Sequence, residues 1–146
     1  MTKFVIDTSV VLKWISGKKE SDIKESLELY QLLKEGEVAI FAPSFLLVEL
    51  LNILYWKRIF THEEIISFIA RVSESGINFV DLLKNDTEEI LHVVLKYGVT
   101  AYDAIFLYVA RTSDCKLVSA DRKLHSLLDQ VISPSQALEI LAKPLL

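Results

Sequence analysis

The sequence predicts a three-layer α/β/α fold, in which helices cover both faces of a central parallel sheet of four to five strands. Short apolar runs that suit buried strands recur along the chain, and segments with helical spacing of apolar residues lie between them. Because right-handed crossovers place helices on both sides of a sheet, this alternation favours parallel strands. We expect residues 1–146 to form a single domain, since the length is that of one ordinary domain.

The predicted strands are apolar runs of two to four residues, as expected for strands that are covered on both faces. The fifth run is the least well marked. The runs are Phe4–Ile6, Val38–Phe41, Ile77–Val80, Lys116–Val118 and Val131–Ile132.

Helix start and stop signals separate these runs. Thr61–Glu64 has the pattern of a capping box, and Ser133–Gln136 places a proline at the favoured first helical position. Asp86 and Thr100 are predicted N-caps, and Gly98 is the predicted end of the helix that Asp86 begins. The order of elements is therefore strand and helix in alternation along the whole chain.

The composition indicates a compact protein without an overall basic surface. Hydrophobic residues make up 51% of the chain and charged residues 25%, which excludes a disordered or low-complexity polypeptide. The formal net charge of −4 argues against a basic coat for nucleic acid. Local basic pairs at Lys18–Lys19, Lys57–Arg58 and Arg122–Lys123 still offer short-range attraction for phosphates, although solvated surface charge is the favoured explanation of any one pair.

No membrane segment is expected. The stretch Val38–Trp56 has the length of a membrane span, but Pro43 interrupts it and Glu49 and Asn52 would be costly in lipid. The chain begins directly with a strand-like segment and shows no signal-peptide pattern. We therefore expect a cytoplasmic location.

Several kinds of catalytic site are not supported. Cys115 is the single cysteine and is expected to be a small core residue, so an internal disulfide is excluded. His62, His92 and His125 lack the close spacing of zinc ligands. Neither a glycine-rich phosphate loop nor a nucleophile elbow is present.

Asp7 and Asp121 follow the first and fourth predicted strands. Because the carboxyl ends of parallel strands lie at one edge of a sheet, and ligands bind there at the point where strand order reverses, we expect these carboxylates to share a site. Each aspartate is also explained as the cap of the helix that follows it.

Glu49 and Asp103 are two further candidates. Glu49 lies in a strongly apolar helix, where an ionised carboxylate needs a partner, and Asn52 lies one turn later on the same face. A structural hydrogen-bonded pair is the alternative. Asp103 lies in the first turn after Thr100, where the helix dipole favours a negative charge for structural reasons as well.

The four carboxylates would repel one another unless cations held them together. Carboxylates without imidazole or thiolate select hard cations, chiefly Mg²⁺ or Mn²⁺, and Mg²⁺ commonly bridges to substrate phosphates. Such an ion activates water and stabilises the leaving oxygen in phosphodiester hydrolysis. The pattern therefore favours metal-dependent phosphoryl transfer.

On these residues the chain resembles PIN-domain ribonucleases, most of all the small VapC-type toxins of toxin–antitoxin pairs. The resemblance runs from Lys3 to about Leu141. The segments that carry it occur in order and with the spacing of a domain; they are Val5–Val10, Val48–Asn52, Tyr102–Ala104 and Val118–Asp121.

The resemblance implies a PIN-like, Rossmann-like sheet of order 3-2-1-4-5 and an endoribonuclease that uses Mg²⁺ or Mn²⁺. It implies an RNA substrate, an antitoxin partner and a homodimer. The implied catalytic and metal-binding residues are Asp7, Glu49, Asp103 and Asp121. The implied supporting residues are Thr8, Ser9 and Ser119, to which the residue pattern itself adds Asn52.

Two other functions compete with this interpretation. An aspartate-based phosphatase would use Asp7 as nucleophile, but a haloacid-dehalogenase-type site has a second aspartate two positions later, where this chain has Ser9. A non-catalytic PIN-like binding module would use the acids only as structural groups. Its candidate contact residues are Trp14, Tyr55, Trp56 and Phe60, although aromatic residues at helical spacing are more often core.

Overall fold

This computed structural model describes residues 1–15, 20–127 and 129–143. A parallel five-stranded sheet lies at the centre of this part of the chain. The strands are β1 (Lys3–Ile6), β2 (Ala39–Pro43), β3 (Asn78–Val80), β4 (Lys116–Val118) and β5 (Val131–Ile132). All neighbouring strands are parallel, and their order is β3-β2-β1-β4-β5. The predicted order 3-2-1-4-5 is confirmed.

Helices flank this sheet. They are α1 (Thr8–Ile15), α2 (Ile23–Lys34), α3 (Phe45–Trp56), α4 (His62–Ser73), α5 (Asp86–Tyr97), α6 (Ala101–Thr112), α7 (Arg122–His125) and α8 (Pro134–Ala142). The predicted α/β architecture is confirmed.

Local signals position most helix ends as predicted. The Thr61–Glu64 and Ser133–Gln136 segments form complete capping boxes. Gly98 ends α5 with a φ of 64°, a left-handed conformation that glycine adopts without steric cost. The prediction for Asp86 was wrong. It is the first residue of α5, and its carboxylate accepts hydrogen bonds from the Leu83 N–H and the Tyr108 hydroxyl.

The strand order reverses between β1 and β4. Along the sequence the chain passes from β1 to β2 and β3 on one side, and later to β4 and β5 on the other. Ile6 pairs with Val118 in the sheet, so the two strands end side by side. Residues 7 and 119–121 therefore leave the sheet at the same place, where a ligand site is expected.

The apolar helix α3 is buried on one face only. Leu46, Leu50 and Leu54 are fully buried, whereas Val48 and Leu51 are 61% and 48% exposed. Glu49 has apolar neighbours in the sequence, as described above, and its side chain is half-buried.

Within the described ranges, no single helix is long and apolar enough to cross a membrane. Helices α5 and α6 taken together meet the length and composition of a span, with a bend of 108° between them.

Candidate active site

Asp7 extends from the carboxyl end of β1 into a buried position and is only 7% exposed. Its backbone N–H donates to the Val118 carbonyl at 3.3 Å, which fixes it beside the end of β4. Its Oδ1 accepts the backbone N–H groups of Ser9 at 3.1 Å and Val10 at 3.4 Å, together with the Ser9 hydroxyl. Asp7 therefore caps α1, as one of its two interpretations predicted, and also reaches the predicted site.

Burial raises the pKa of Asp7 to about 6, from an ordinary value of 3.8. Hydrogen bonds from the Ser119 and Ser9 side chains, and from the backbone of Val10 and Ser9, act in the opposite direction without cancelling the effect of burial. In the described part of the chain, no Lys, Arg or His forms a salt bridge with Asp7. Among the described residues, the ionised form thus has no compensating positive charge, and a cation would stabilise it.

Two serine hydroxyls join the ends of β1 and β4. Ser119 is fully buried, its Oγ accepts the Asp121 N–H at 3.0 Å, and this Oγ lies 3.4 Å from Oγ of Ser9. Ser9 Oγ accepts the Ala120 N–H at 2.9 Å while its own hydroxyl donates to Asp7. The loop after β4 is therefore held directly against the carboxylate that follows β1.

Asp121 lies at the exposed end of this loop. Its Oδ1 accepts the Lys123 N–H at 3.0 Å and caps the short helix α7. Asp121 thus caps α7, as one of its two interpretations predicted. It also lies in the loop whose backbone is hydrogen-bonded to Ser9 and Ser119, and its role in the site stays a prediction.

Glu49 reaches the same edge from α3. The buried Thr8 hydroxyl donates a hydrogen bond to Oε1 of Glu49, across a sequence separation of 41 residues. Asn52 is exposed, and none of the described side chains hydrogen-bonds to it, so the pair with Glu49 is not formed. A supporting role for Asn52 stays a prediction, and the bond from Thr8 is what positions Glu49.

Asp103 approaches Asp121 from α6. The Thr100 hydroxyl accepts the Asp103 N–H at 3.2 Å, which confirms the predicted cap. Partial burial raises the pKa of Asp103, the negative charge of Asp121 raises it further, and the hydrogen bond with Thr100 lowers it. The two carboxylates are therefore close enough to repel each other, so that an ion near both would relieve the repulsion.

The donor atoms at this edge are carboxylate and hydroxyl oxygens, which suit a hard cation. In residues 1–15, 20–127 and 129–143, no three Asp, Glu, His or Cys side chains lie close enough together to hold one ion. Mg²⁺ is usually bound by one or two carboxylates, with waters and substrate phosphates as its other ligands. Asp7 and the Asp103–Asp121 pair fit that kind of binding, and they do not form an all-protein cage.

His125 is a structural contributor that sequence reasoning missed. Its Nε2 lies 2.6 Å from the Ser119 carbonyl oxygen, and because a carbonyl only accepts, Nε2 must carry the proton. This bond fastens α7 to the residue that supports Asp7 and Asp121. A lone histidine in a four-residue helix gives no sequence signal for such a contact.

Two of the three basic pairs lie within the described residues. Lys57–Arg58 and Arg122–Lys123 are exposed, and Lys18–Lys19 lies outside the described residues. The Arg58 guanidinium lies over the rings of Tyr55 and Trp56, at 4.5 Å and 4.8 Å from their centroids. Tyr55 and Trp56 are 39% and 62% exposed, so the expectation that these aromatic residues are core was wrong for both, whereas it holds for buried Trp14.

The family model of the PIN domain matches residues 4–128. No curated protein matches the chain. Among solved structures, a protein of Pyrobaculum aerophilum superposes with a TM-score of 0.68 at 23% identity, over 97% of each chain. The sarcin–ricin loop cleaving toxin VapC20 of Mycobacterium tuberculosis gives 0.66 at 11% identity, over 86% of this chain and 97% of that one.

A toxin–antitoxin complex from Klebsiella pneumoniae gives a TM-score of 0.63 at 17% identity, over 89% of this chain and 96% of that one. At such identities these structures share the fold, whereas the family model covers most of the chain. This chain therefore belongs to the PIN-domain family.

Proposed function

We propose that this protein is a divalent-cation-dependent endoribonuclease and the toxin of a toxin–antitoxin pair. The observation that carries the proposal is the buried Asp7 carboxylate, which has no compensating cationic side chain in the described residues and lies where the strand order reverses. Membership of the PIN-domain family supports the same chemistry. Mg²⁺ and Mn²⁺ are the ions that an all-oxygen donor set favours.

In this proposal, Asp7, Glu49, Asp103 and Asp121 are the acidic residues that would hold the cation, and the cation would in turn bind the substrate phosphate. When bound, such an ion stabilises charge on the phosphate oxygens and lowers the pKa of water. Ser9 and Ser119 fix the Asp7 carboxylate and the loop that carries Asp121. Thr8 orients Glu49 through its hydroxyl.

RNA is the proposed substrate, and the cytoplasm is the proposed location because a nuclease of this kind must meet its RNA there. An antitoxin partner is supported by the toxin–antitoxin complex that shares the fold. The exposed apolar residues Val48 and Leu51 on α3, next to Glu49, provide surface for contact with a second protein chain. We propose that the protein forms a homodimer and that the antitoxin blocks the site.

The proposal is tested by incubating the purified protein with RNA in Mn²⁺ or Mg²⁺, and in EDTA. We expect cleavage only with the divalent ion, and a loss of at least roughly 100-fold in rate for Asp7→Asn, because the acidic site supplies the charge stabilisation. Asp114→Asn is the matched control, since Asp114 is exposed and precedes β4 at the opposite edge of the sheet. Cleavage in EDTA, or full activity of Asp7→Asn, would contradict the proposed mechanism.

A further inference from the structure

A cavity of about 430 Å³ lies directly beside the acidic site. Ser9, Ala120 and Asp121 form one wall of it. These residues also belong to the hydrogen-bonded connection between β1 and β4. A molecule that fills the cavity would therefore lie next to the carboxylates that are proposed to act on a phosphate.

Another part of the cavity lining is apolar. It includes Leu54, Ile59 and Phe60, and Leu54 is fully buried. The Phe60 ring packs edge-to-face against Phe68, with 5.3 Å between the centroids, and this contact stabilises the position of the ring. Ile59 remains 64% exposed, which leaves apolar area open to a ligand with a flat, weakly polar face.

Two lysines line the same cavity, and they differ in whether a described acidic side chain forms a salt bridge with them. Lys13 forms a salt bridge with Glu20, with 2.8 Å between Nζ and Oε2. Lys57 forms no salt bridge with any side chain in the ranges that are described, and it is exposed. A cation beside an acidic site provides attraction for an anion that the carboxylates alone would repel.

We infer that this cavity binds one unstacked nucleobase of a single-stranded RNA, adjacent to the phosphodiester that is cleaved, with Lys57 contacting a neighbouring phosphate. The inference rests on the proposed function and names the substrate feature that the site selects. Proteins recognise RNA sequence mainly through bases in single-stranded segments, which stack on aromatic side chains such as Phe60. The cavity combines such a surface with a cation and with the acidic site.

A nucleotide accounts for these features better than a protein segment does. An apolar protein segment would fill the space around Ile59 and Phe60, but it would leave Lys57 without a counterpart. A nucleotide supplies the flat face and the phosphate in one covalent unit. The distance from the bound base to the phosphates beside it would then determine which phosphodiester bond lies next to Asp121.

Two substitutions test the inference at positions that are exposed, so that folding is preserved. They are Ile59→Ala in the apolar wall and Lys57→Ala at the cation. Leu91→Ala and Lys84→Ala are matched controls, because both residues are exposed and line a separate cavity beside α5. The measurements are kcat/KM and the bases flanking the cut in a randomised RNA pool, together with fluorescence anisotropy of a short single-stranded RNA in EDTA.

We expect Ile59→Ala to weaken RNA binding roughly 5- to 30-fold, because it removes most of the apolar area that this side chain offers to a base, and to change the base preference at the cut. Lys57→Ala is expected to weaken binding at all sequences alike and to reduce its dependence on salt. The control variants should bind and cleave as the wild type does.

Unchanged RNA affinity and base preference in both test variants would overturn the inference and would leave a protein segment as the occupant. If the wild type binds RNA through these residues but does not cleave it with any divalent ion, the cavity assignment stands and the proposed function fails. If cleavage occurs and the test variants behave like the controls, the proposed function stands and the cavity assignment fails.

Discussion

The hydroxyl of Thr8 donates a hydrogen bond to Oε1 of Glu49, which joins the first turn of α1 to the middle of α3. This contact is the connection through which Glu49 reaches the end of β1. Because Thr8 is buried, its hydroxyl is kept away from water and has the Glu49 carboxylate as its hydrogen-bond acceptor. The orientation of Glu49 should therefore depend on a residue that carries no charge.

Replacement of Thr8 by valine should reduce the affinity of the protein for Mn²⁺ roughly 10- to 100-fold, the usual effect of losing a group that orients a ligand. Thr8→Ser keeps the hydroxyl and should retain most of the affinity. Calorimetric titration with Mn²⁺ measures both variants. Equal affinities for Thr8→Val and the wild type would show that Glu49 needs no such support or binds no ion.

The raised pKa of Asp7 predicts a stability change with pH in the metal-free protein. The unfolded carboxyl titrates near 3.8 and the folded one near 6, so between these values the folded state holds a proton that the unfolded state has released. The free energy of unfolding should consequently fall as pH rises from about 4 to about 6. The effect should be about 1–3 kcal/mol, since one pKa unit corresponds to roughly 1.4 kcal/mol.

Urea denaturation in EDTA at several pH values tests this expectation. Asp7→Asn should be more stable than the wild type above pH 6, and its stability should change less between pH 4 and 6, because the asparagine cannot titrate. A wild-type protein that gains stability over this interval relative to Asp7→Asn would contradict the sign given by burial.

The charge of Asp121 should influence the titration of Asp103. Because the charge of Asp121 contributes to the raised pKa of Asp103, Asp121→Asn should lower that pKa toward its ordinary value. Carbon-13 NMR of the Asp103 carboxyl group, followed against pH in EDTA, measures the change. Asp81→Asn is a control in an exposed loop, and an Asp103 pKa that responds equally to both substitutions would contradict a specific pair.

The stability of the packing beneath α1 should depend on Trp14. Its indole Nε1–H donates to the Ser26 carbonyl at 2.8 Å in the buried interior, next to the Tyr30 ring. Trp14→Phe removes this hydrogen bond and leaves space unfilled, so it should lower the free energy of unfolding by about 2–4 kcal/mol.

The matched control is Trp56→Phe, at an exposed position where the change should stay within about 0.5 kcal/mol. Thermal or urea unfolding compares the two variants. Similar losses of unfolding free energy in the two variants would contradict the expected stabilisation by the buried hydrogen bond of Trp14.

The sheet topology was predictable from local signals, and so was the proximity of Asp7 to the loop that carries Asp121. Each aspartate follows an apolar run, and parallel strands bring their carboxyl ends to one edge, so the topology determines the meeting. Short-range polar patterns also predicted the caps at Thr61, Thr100 and Ser133. These features depend on neighbours along the chain or on strand order.

The rest depends on how the helices rotate against the sheet. Helix α3 is apolar on nearly every side, so its pattern does not indicate which face is buried, and apolar Val48 lies on the exposed face. The contact of Thr8 with Glu49 joins residues whose separation carries no periodic signal. The bond from His125 to Ser119 likewise depends on a turn that only the folded chain forms.

The most direct test of the central claim is X-ray diffraction from crystals grown with Mn²⁺, recorded at a wavelength where manganese scatters anomalously. The account predicts an anomalous peak at the carboxyl ends of β1 and β4, bound by carboxylate oxygens from the set Asp7, Glu49, Asp103 and Asp121, and its loss in Asp7→Asn crystals. A peak elsewhere on the protein, or none at a Mn²⁺ concentration that supports RNA cleavage, would contradict it.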